Sequence, residues 1–250
     1  QLAHAGRKAS SWAAWGFEDR TGGSVPLDEG GWTTVAPSAE AFGDMAVPVA
    51  LDLAGIDALV DDFRAGARRA VDVGFRILEL HAAHGYLLHQ FLSPLANHRE
   101  DEYGGSLENR ARLLLRIVTA VREEAGSDWA SGGWDEQQTA TVAGWAQEAG
   151  ADFFDISSGG IAAGIRIPLG PGYQVPFAEH VRSSAEVPVS AVGLITTPQQ
   201  AADIVESGAA DAVMLARAML RDPHFPLRAA HELGATIDYW PPQYLRAQWR

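Results

Sequence analysis

The chain has 250 residues, 47% of them hydrophobic and 20% charged, enough to bury a sizeable core in one large domain or two small ones. A formal net charge of −13 argues against nucleic acid or an anionic membrane as partner, and the absence of cysteine excludes disulfides, thiolate metal sites and a thiol nucleophile. No apolar run approaches the roughly 18 residues of a membrane span and no secretory signal is visible, so a cytoplasmic setting is expected.

In chain order, Gln1–His4 reads as the end of a strand, and a chain opening on Gln1 reads as starting in mid-fold. A long segment at about 5–49, rich in Gly, Ser, Pro and Trp, has no clear period. Trp12, Trp15 and Trp32 predict that it is a packed loop bordering a site. Ala50–Val73 is helical, with Leu53, Ile56, Leu59, Val60 and Phe63 on one stripe. Phe75–Leu80 reads as a strand, and Leu107–Glu124 as a helix with Ser106 at its N-cap and Glu108 in the first turn. Further helices are expected over Asp135–Ala149, Gln174–Ser184, Thr197–Ser207 and Asp222–Leu233, with strands over Phe153–Ser157, Val187–Val192 and Ala212–Leu215.

Alternating strands and helices define an α/β chain with a parallel sheet, and their even spacing favours a TM-free, TIM (β/α)8-type barrel in a single domain over 1–250. The count falls short, at about five of eight strands. Between the helix ending near Glu124 and the one starting near Asp135 no apolar run supplies the strand that a parallel repeat needs, so the barrel is expected to be partial.

The segment Phe75-Arg-Ile-Leu-Glu-Leu-His81-Ala-Ala-His84-Gly-Tyr86 carries the chemistry. A strand that ends in His81 and His84 delivers two imidazoles to a barrel rim, where both can donate to one substrate oxygen, and the Tyr86 phenol can supply a proton. The plain alternative is a pair of satisfied histidines beside a packed tyrosine. A third reading makes Glu79, His81 and His84 the ligands of a metal-dependent barrel enzyme. His89 and His98 read as structural, Asp101–Gly105 as a turn, and Asp61-Asp62 and Arg68-Arg69 as solvated helix faces.

Five motifs in order make the chain resemble the old yellow enzyme family of flavin-dependent ene-reductases, in its bacterial short-loop subclass: Gln1-Leu-Ala-His-Ala-Gly-Arg-Lys8, His81-Ala-Ala-His-Gly-Tyr86, the Ser93–Arg110 stretch, Leu215-Ala-Arg-Ala-Met-Leu-Arg-Asp-Pro223 and Trp240-Pro-Pro-Gln-Tyr-Leu-Arg246. The resemblance implies an eight-stranded barrel that carries FMN at its C-terminal face and takes electrons from NADPH or NADH. It implies that His81 and His84 bind the carbonyl oxygen of an activated alkene while Tyr86 protonates the α-carbon. Gln1 would hydrogen-bond the flavin ring, and Gly193, Ala216 and Arg217 would hold its phosphate. Where this chain has Ala216 the family often has glycine, which leaves the backbone N–H available. Arg246 resembles the arginine that enters a neighbouring subunit's site, which implies a homo-oligomer. Tyr173 and Ser157-Ser-Gly-Gly160 border the expected site on loops.

The family's first two βα units and the arginine its fifth strand places near flavin N1 have no counterpart here. The expectation is therefore an incomplete copy of a working enzyme, with a non-catalytic remnant that binds no flavin as the alternative.

Overall fold

The computed structural model describes residues 1–13, 22–125, 136–161, 167–237, 240 and 242–247. Trp15 and most of the segment joining the two central helices lie outside the described residues. Two parallel sheets organise the rest. Strands β1 (Val35–Ala36) and β2 (Val49–Ala50) form a pair, and β3 (Phe154–Ile156), β4 (Val189–Ala191) and β5 (Ala212–Val213) form a three-stranded sheet in chain order. Helices α1 (Leu53–Asp72), α2 (Leu87–Leu92), α3 (Leu107–Ala125), α4 (Glu136–Glu148), α5 (Val175–Ala185), α6 (Pro198–Glu206), α7 (Arg217–Arg221) and α8 (Phe225–Glu232) intervene. This is an α/β arrangement with the parallel sheets of a partial barrel.

Local chemistry sets the helix limits. The Asp52 carboxylate accepts from the Gly55 amide at 2.7 Å and starts α1, so Ala50 belongs to β2 rather than to the helix. Ile56, Leu59, Val60 and Phe63 turn into the core as the period requires, while Leu53 stays half exposed. The Ser106 hydroxyl accepts from the Asn109 amide at the start of α3, and Thr197 caps α6 in the same way through the Gln200 amide. Helix α1 packs on α3, and Ile117, Val121, Leu113 and Phe91 lie fully buried in the core.

Three expectations need correction. Among the described residues Phe75–Leu80 forms no ladder and makes one bridge, the parallel contact between Leu2 and Leu80, with the Leu2 N–H donating to the Glu79 carbonyl and the His81 N–H to the Leu2 carbonyl. Phe75 and Ile77 are 65% and 73% exposed, so no apolar cover fixes that run as a strand, whereas Leu78 and Leu80 are buried. The helix expected over Asp222–Leu233 starts later, at Phe225, and a separate short helix, α7, precedes it. Pro223 has no N–H and disfavours helical backbone at Asp222, so α7 ends there and α8 begins at Phe225, with the Asp222 carboxylate bonded to Arg228 at 2.7 Å. The 5–49 segment also holds regular structure, namely β1, the first residue of β2 and 3₁₀ turns at Gly6–Lys8 and Leu27–Glu29.

The Ser93–Arg110 stretch is a polar clamp. Asn97 donates to the carbonyls of Phe91 and Tyr103, at 2.6 and 2.7 Å. Arg99 bonds the carbonyls of Pro37 and Leu51 while pairing with Asp101, and Arg110 donates to the Leu92 carbonyl and to Gln138 of α4. The clamp therefore ties α2 to β1, β2 and α4, and α2 leads directly out of the histidine segment.

His89 of α2 is buried. Its Nδ1 accepts from the Gly85 amide at 2.9 Å, and burial, reinforced by nearby cationic groups, pushes its pKa down to about 3. The unfolded chain binds a proton at His89 near pH 6.5 and the folded one does not, so stability falls as pH drops from about 6.5 toward 3, at up to about 1.4 kcal/mol per pH unit. His89→Asn keeps an acceptor for Gly85 without a titrating ring, and is expected to flatten the pH dependence of Tm in that window.

Candidate active site

The site grows from the close approach of two backbones. His84 and Gly85 both adopt left-handed conformations, with φ of +57° and +71°, and a Cβ at Gly85 would stand 2.1 Å from the Gly160 carbonyl oxygen. Only glycine fits there. Lys8 Nζ donates to the carbonyls of both His84 and Gly160, at 2.9 and 3.3 Å, and so bridges the two loops where their oxygens would otherwise repel. Gln90, fully buried, donates to the Gly85 carbonyl at 2.7 Å and accepts from the Arg7 amide.

That turn brings His81, His84 and Tyr86 together. The Nε2 of His81 lies 3.3 Å from the Nδ1 of His84, and the ring centroid of His81 is 5.0 Å from that of His84 and 5.2 Å from that of Tyr86. Nitrogens this close leave room for one oxygen at hydrogen-bond distance from both. The Lys8 ammonium lies 4.8 Å from the Tyr86 and Phe42 ring centroids, and Arg7 holds the Phe42 loop through the carbonyls of Glu40 and Ala41. Burial, joined by the positive charge of Lys8, pushes the pKa of both imidazoles below the ordinary histidine value. Two neutral rings beside a fixed cation can donate to an oxygen that becomes negative.

The metal reading fails on geometry. Among the described residues no three histidine or acidic side chains are placed to hold an ion, because the His84 ring nitrogens face His81 and Ser157 rather than a point shared with Glu79.

A second feature lies at the C-terminal ends of β4 and β5, where a cleft of about 170 Å³ is lined by Tyr173, Gln174, Gly193, Ala216, Arg217 and Arg221. Gly193 has φ of +120°, and a Cβ there would meet the Tyr173 ring at 3.0 Å. The guanidiniums of Arg217 and Arg221 make no ion pair among the described residues. Two cations without an ion pair among the described residues, a bare backbone and a cleft of this size suit a phosphate group. Gln174 joins this cleft to the imidazoles: its Oε1 accepts from Ser158 and lies 3.4 Å from Ser157 Oγ, which in turn is 2.8 Å from His84 Nε2.

The structure thus gathers His81, His84 and Tyr86 at one place and Gly193, Ala216 and Arg217 at another, linked through Ser157 and Gln174. Gln1 is exposed beside Leu2, and Arg246 is exposed on the 3₁₀ segment Pro242–Ala247; no described contact joins either to the histidine cluster. Lys8, Phe42, Gln174 and Arg221 also line these features. No period or spacing marks them in the sequence; the Gly-Arg-Lys8 run was the one available signal for Lys8.

A parallel α/β rim bearing paired neutral imidazoles, a phenol and a basic phosphate-sized cleft defines a nucleotide-cofactor oxidoreductase of the β/α-barrel type. The chain belongs to the NADH:flavin oxidoreductase / NADH oxidase family, whose model matches residues 1–235, and FMN is the cofactor that membership brings. It is 42% identical over 256 residues to an NADPH dehydrogenase of Halalkalibacterium halodurans, covering 99% of this chain and 70% of that protein. An NADPH dehydrogenase of Bacillus licheniformis is 43% identical over 257 residues, at the same coverage. Among solved structures, a 2-naphthoyl-CoA reductase bound to 2-naphthoyl-CoA superposes with a TM-score of 0.74 at 25% identity, covering 82% of this chain and 34% of that one. Morphinone reductase superposes with a TM-score of 0.67 at 28% identity, covering 85% and 62%. The chain therefore spans about 70% of the curated relatives and smaller shares of these structures. Nicotinamide dependence is common to the named dehydrogenases.

Lys8→Met removes the cation while keeping side-chain length. The pKa values of His81 and His84 are expected to rise, since one of the causes that depress them is gone, while burial still holds them below the ordinary value. Titration of the histidine ring protons by NMR measures this directly.

Proposed function

We propose that the chain is the catalytic part of an FMN-dependent NADPH or NADH oxidoreductase that reduces activated C=C bonds of α,β-unsaturated carbonyl compounds. The observation that carries the reading is the convergence of His81 Nε2 and His84 Nδ1, 3.3 Å apart, beside the Tyr86 ring and the Lys8 ammonium. Bound FMN, once reduced by the nicotinamide, supplies the hydride.

The chain's own residues do the rest. His81 and His84 bind the substrate carbonyl oxygen and draw electron density from the double bond. Lys8 adds a fixed positive charge near the oxygen as it becomes an enolate. Tyr86 gives its phenolic proton to the α-carbon. Arg217 and Arg221 would hold the cofactor phosphate in the cleft, where Gly193 leaves the backbone bare and Ala216 would offer its N–H. Gln1 is assigned to the flavin ring and Arg246 to the substrate of a neighbouring copy in a homo-oligomer. The partner is a small molecule. Among the described residues no helix is long and apolar enough to cross a membrane.

The test is direct. Protein loaded with FMN is expected to bleach anaerobically with NADPH and to recolour when a small cyclic enone such as 2-cyclohexenone is added. Failure to recolour with any activated alkene overturns the reading. Tyr86→Phe is expected to slow the recolouring step by about 10²- to 10⁴-fold while leaving bleaching by NADPH unchanged, as stopped-flow absorbance resolves. Arg217→Gln is expected to weaken FMN binding by about tenfold or more, the loss of one charge-assisted contact, as measured by flavin fluorescence.

A further inference from the structure

Ser157 stands at the end of β3, outside the groups to which the proposed chemistry assigns a step. Its hydroxyl oxygen lies 2.8 Å from His84 Nε2 and 3.4 Å from Gln174 Oε1. The Gln174 oxygen already accepts from both the backbone N–H and the hydroxyl of Ser158, and a carboxamide oxygen has two lone pairs. Its capacity is filled by nearer donors. The remaining acceptor for the Ser157 proton is His84 Nε2, at the shorter distance.

We infer that Ser157 is a positioning residue that donates its hydroxyl proton to His84 Nε2 and thereby fixes the neutral His84 ring with its own proton on Nδ1, the nitrogen that faces His81 and the shared oxygen position. A neutral imidazole holds one proton, so an acceptor role at Nε2 forces the donor role at Nδ1. The opposite tautomer would turn a lone pair toward the substrate oxygen and repel the charge that has to develop there. Burial keeps the ring neutral, which makes its tautomer the deciding variable. His81 has no equivalent restraint: its Nδ1 makes no hydrogen bond among the described residues, and its Nε2 meets only His84. His84 is thus the preset donor, and His81 adapts when an oxygen displaces the contact between the rings. Ser158 serves the same end, since by filling the Gln174 oxygen with its two donors it leaves the Ser157 proton to histidine.

This inference rests on the proposed two-donor binding of a substrate oxygen, but its main test does not require turnover. Long-range ¹H–¹⁵N correlation spectra of FMN-loaded protein, with His84 assigned by the loss of its signals in His84→Gln, report which ring nitrogen carries the proton. The expected result is a protonated Nδ1 and a bare Nε2 in the parent protein. Ser157→Ala and Ser157→Gly are expected to move population to the Nε2–H form, and Ser157→Thr to restore the parent pattern. Enone recolouring is expected to slow by about tenfold in the alanine variant and to recover with threonine, while bleaching by NADPH is unaffected. A parent spectrum with the proton on Nε2 overturns the inference, even if neither hydroxyl-free variant folds, and so does an Nδ1–H pattern that persists in those variants. Loss of all enone turnover together with the expected tautomer pattern counts against the proposed function and leaves the role of Ser157 standing.

Discussion

The backbone of Gly85 runs against the carbonyl of Gly160 with no space for a side chain between them, and every feature of the site follows from that approach. The two loops come this close with left-handed backbone at His84 and Gly85 on one side and at Gly159 and Gly160 on the other, and with a donor that joins their carbonyls. Lys8 is that donor. It comes from a third segment, held alongside by the pairing of Leu2 with Leu80, so three parts of the chain meet at one ammonium group. The charge that fastens the turn also depresses the neighbouring imidazoles, so structure and electrostatics have one source.

Around this point the packing is polar as well as apolar. Gln90 and His89 on α2 each spend a buried group on Gly85, through its carbonyl and its N–H respectively. Arg110, Asn97 and Arg99 then hold α2 in place through backbone carbonyls rather than through carboxylates alone. Buried donors of this kind are costly when unpaired, which makes the placement of α2, and with it the histidine turn, strongly determined.

Much of this was legible in the residues, and the misses have physical causes. A helix with a clear apolar stripe, such as α1, is legible from its period, whereas its start at the Asp52 cap is not, since Ala50 reads as part of the helix. The His81, His84 and Tyr86 group was legible because short spacing at the end of an apolar run confines them to one rim. The β1–β2 pair was not, since two-residue strands are too short to display a period. Phe75–Leu80 misled because its composition is that of a strand while its surroundings cover only Leu78 and Leu80. Gln174 was hidden for a different reason: its importance lies in a side-chain oxygen that accepts both donors of Ser158, which no pattern of hydropathy encodes.

The bare backbones at Gly85 and Gly193 have a consequence for how such a protein can diversify. A methyl group at Gly85 would collide with the Gly160 carbonyl, and one at Gly193 would press on the Tyr173 ring from a backbone conformation that L side chains rarely adopt, so both positions resist substitution. Phe42 is a different matter. It hangs over Lys8 from the loop between β1 and β2, steadied by Arg7, and belongs to no helix or ladder. Variation beside the Lys8 ammonium is thereby channelled into a loop that can be redrawn residue by residue, while His81, His84 and Tyr86 stay untouched.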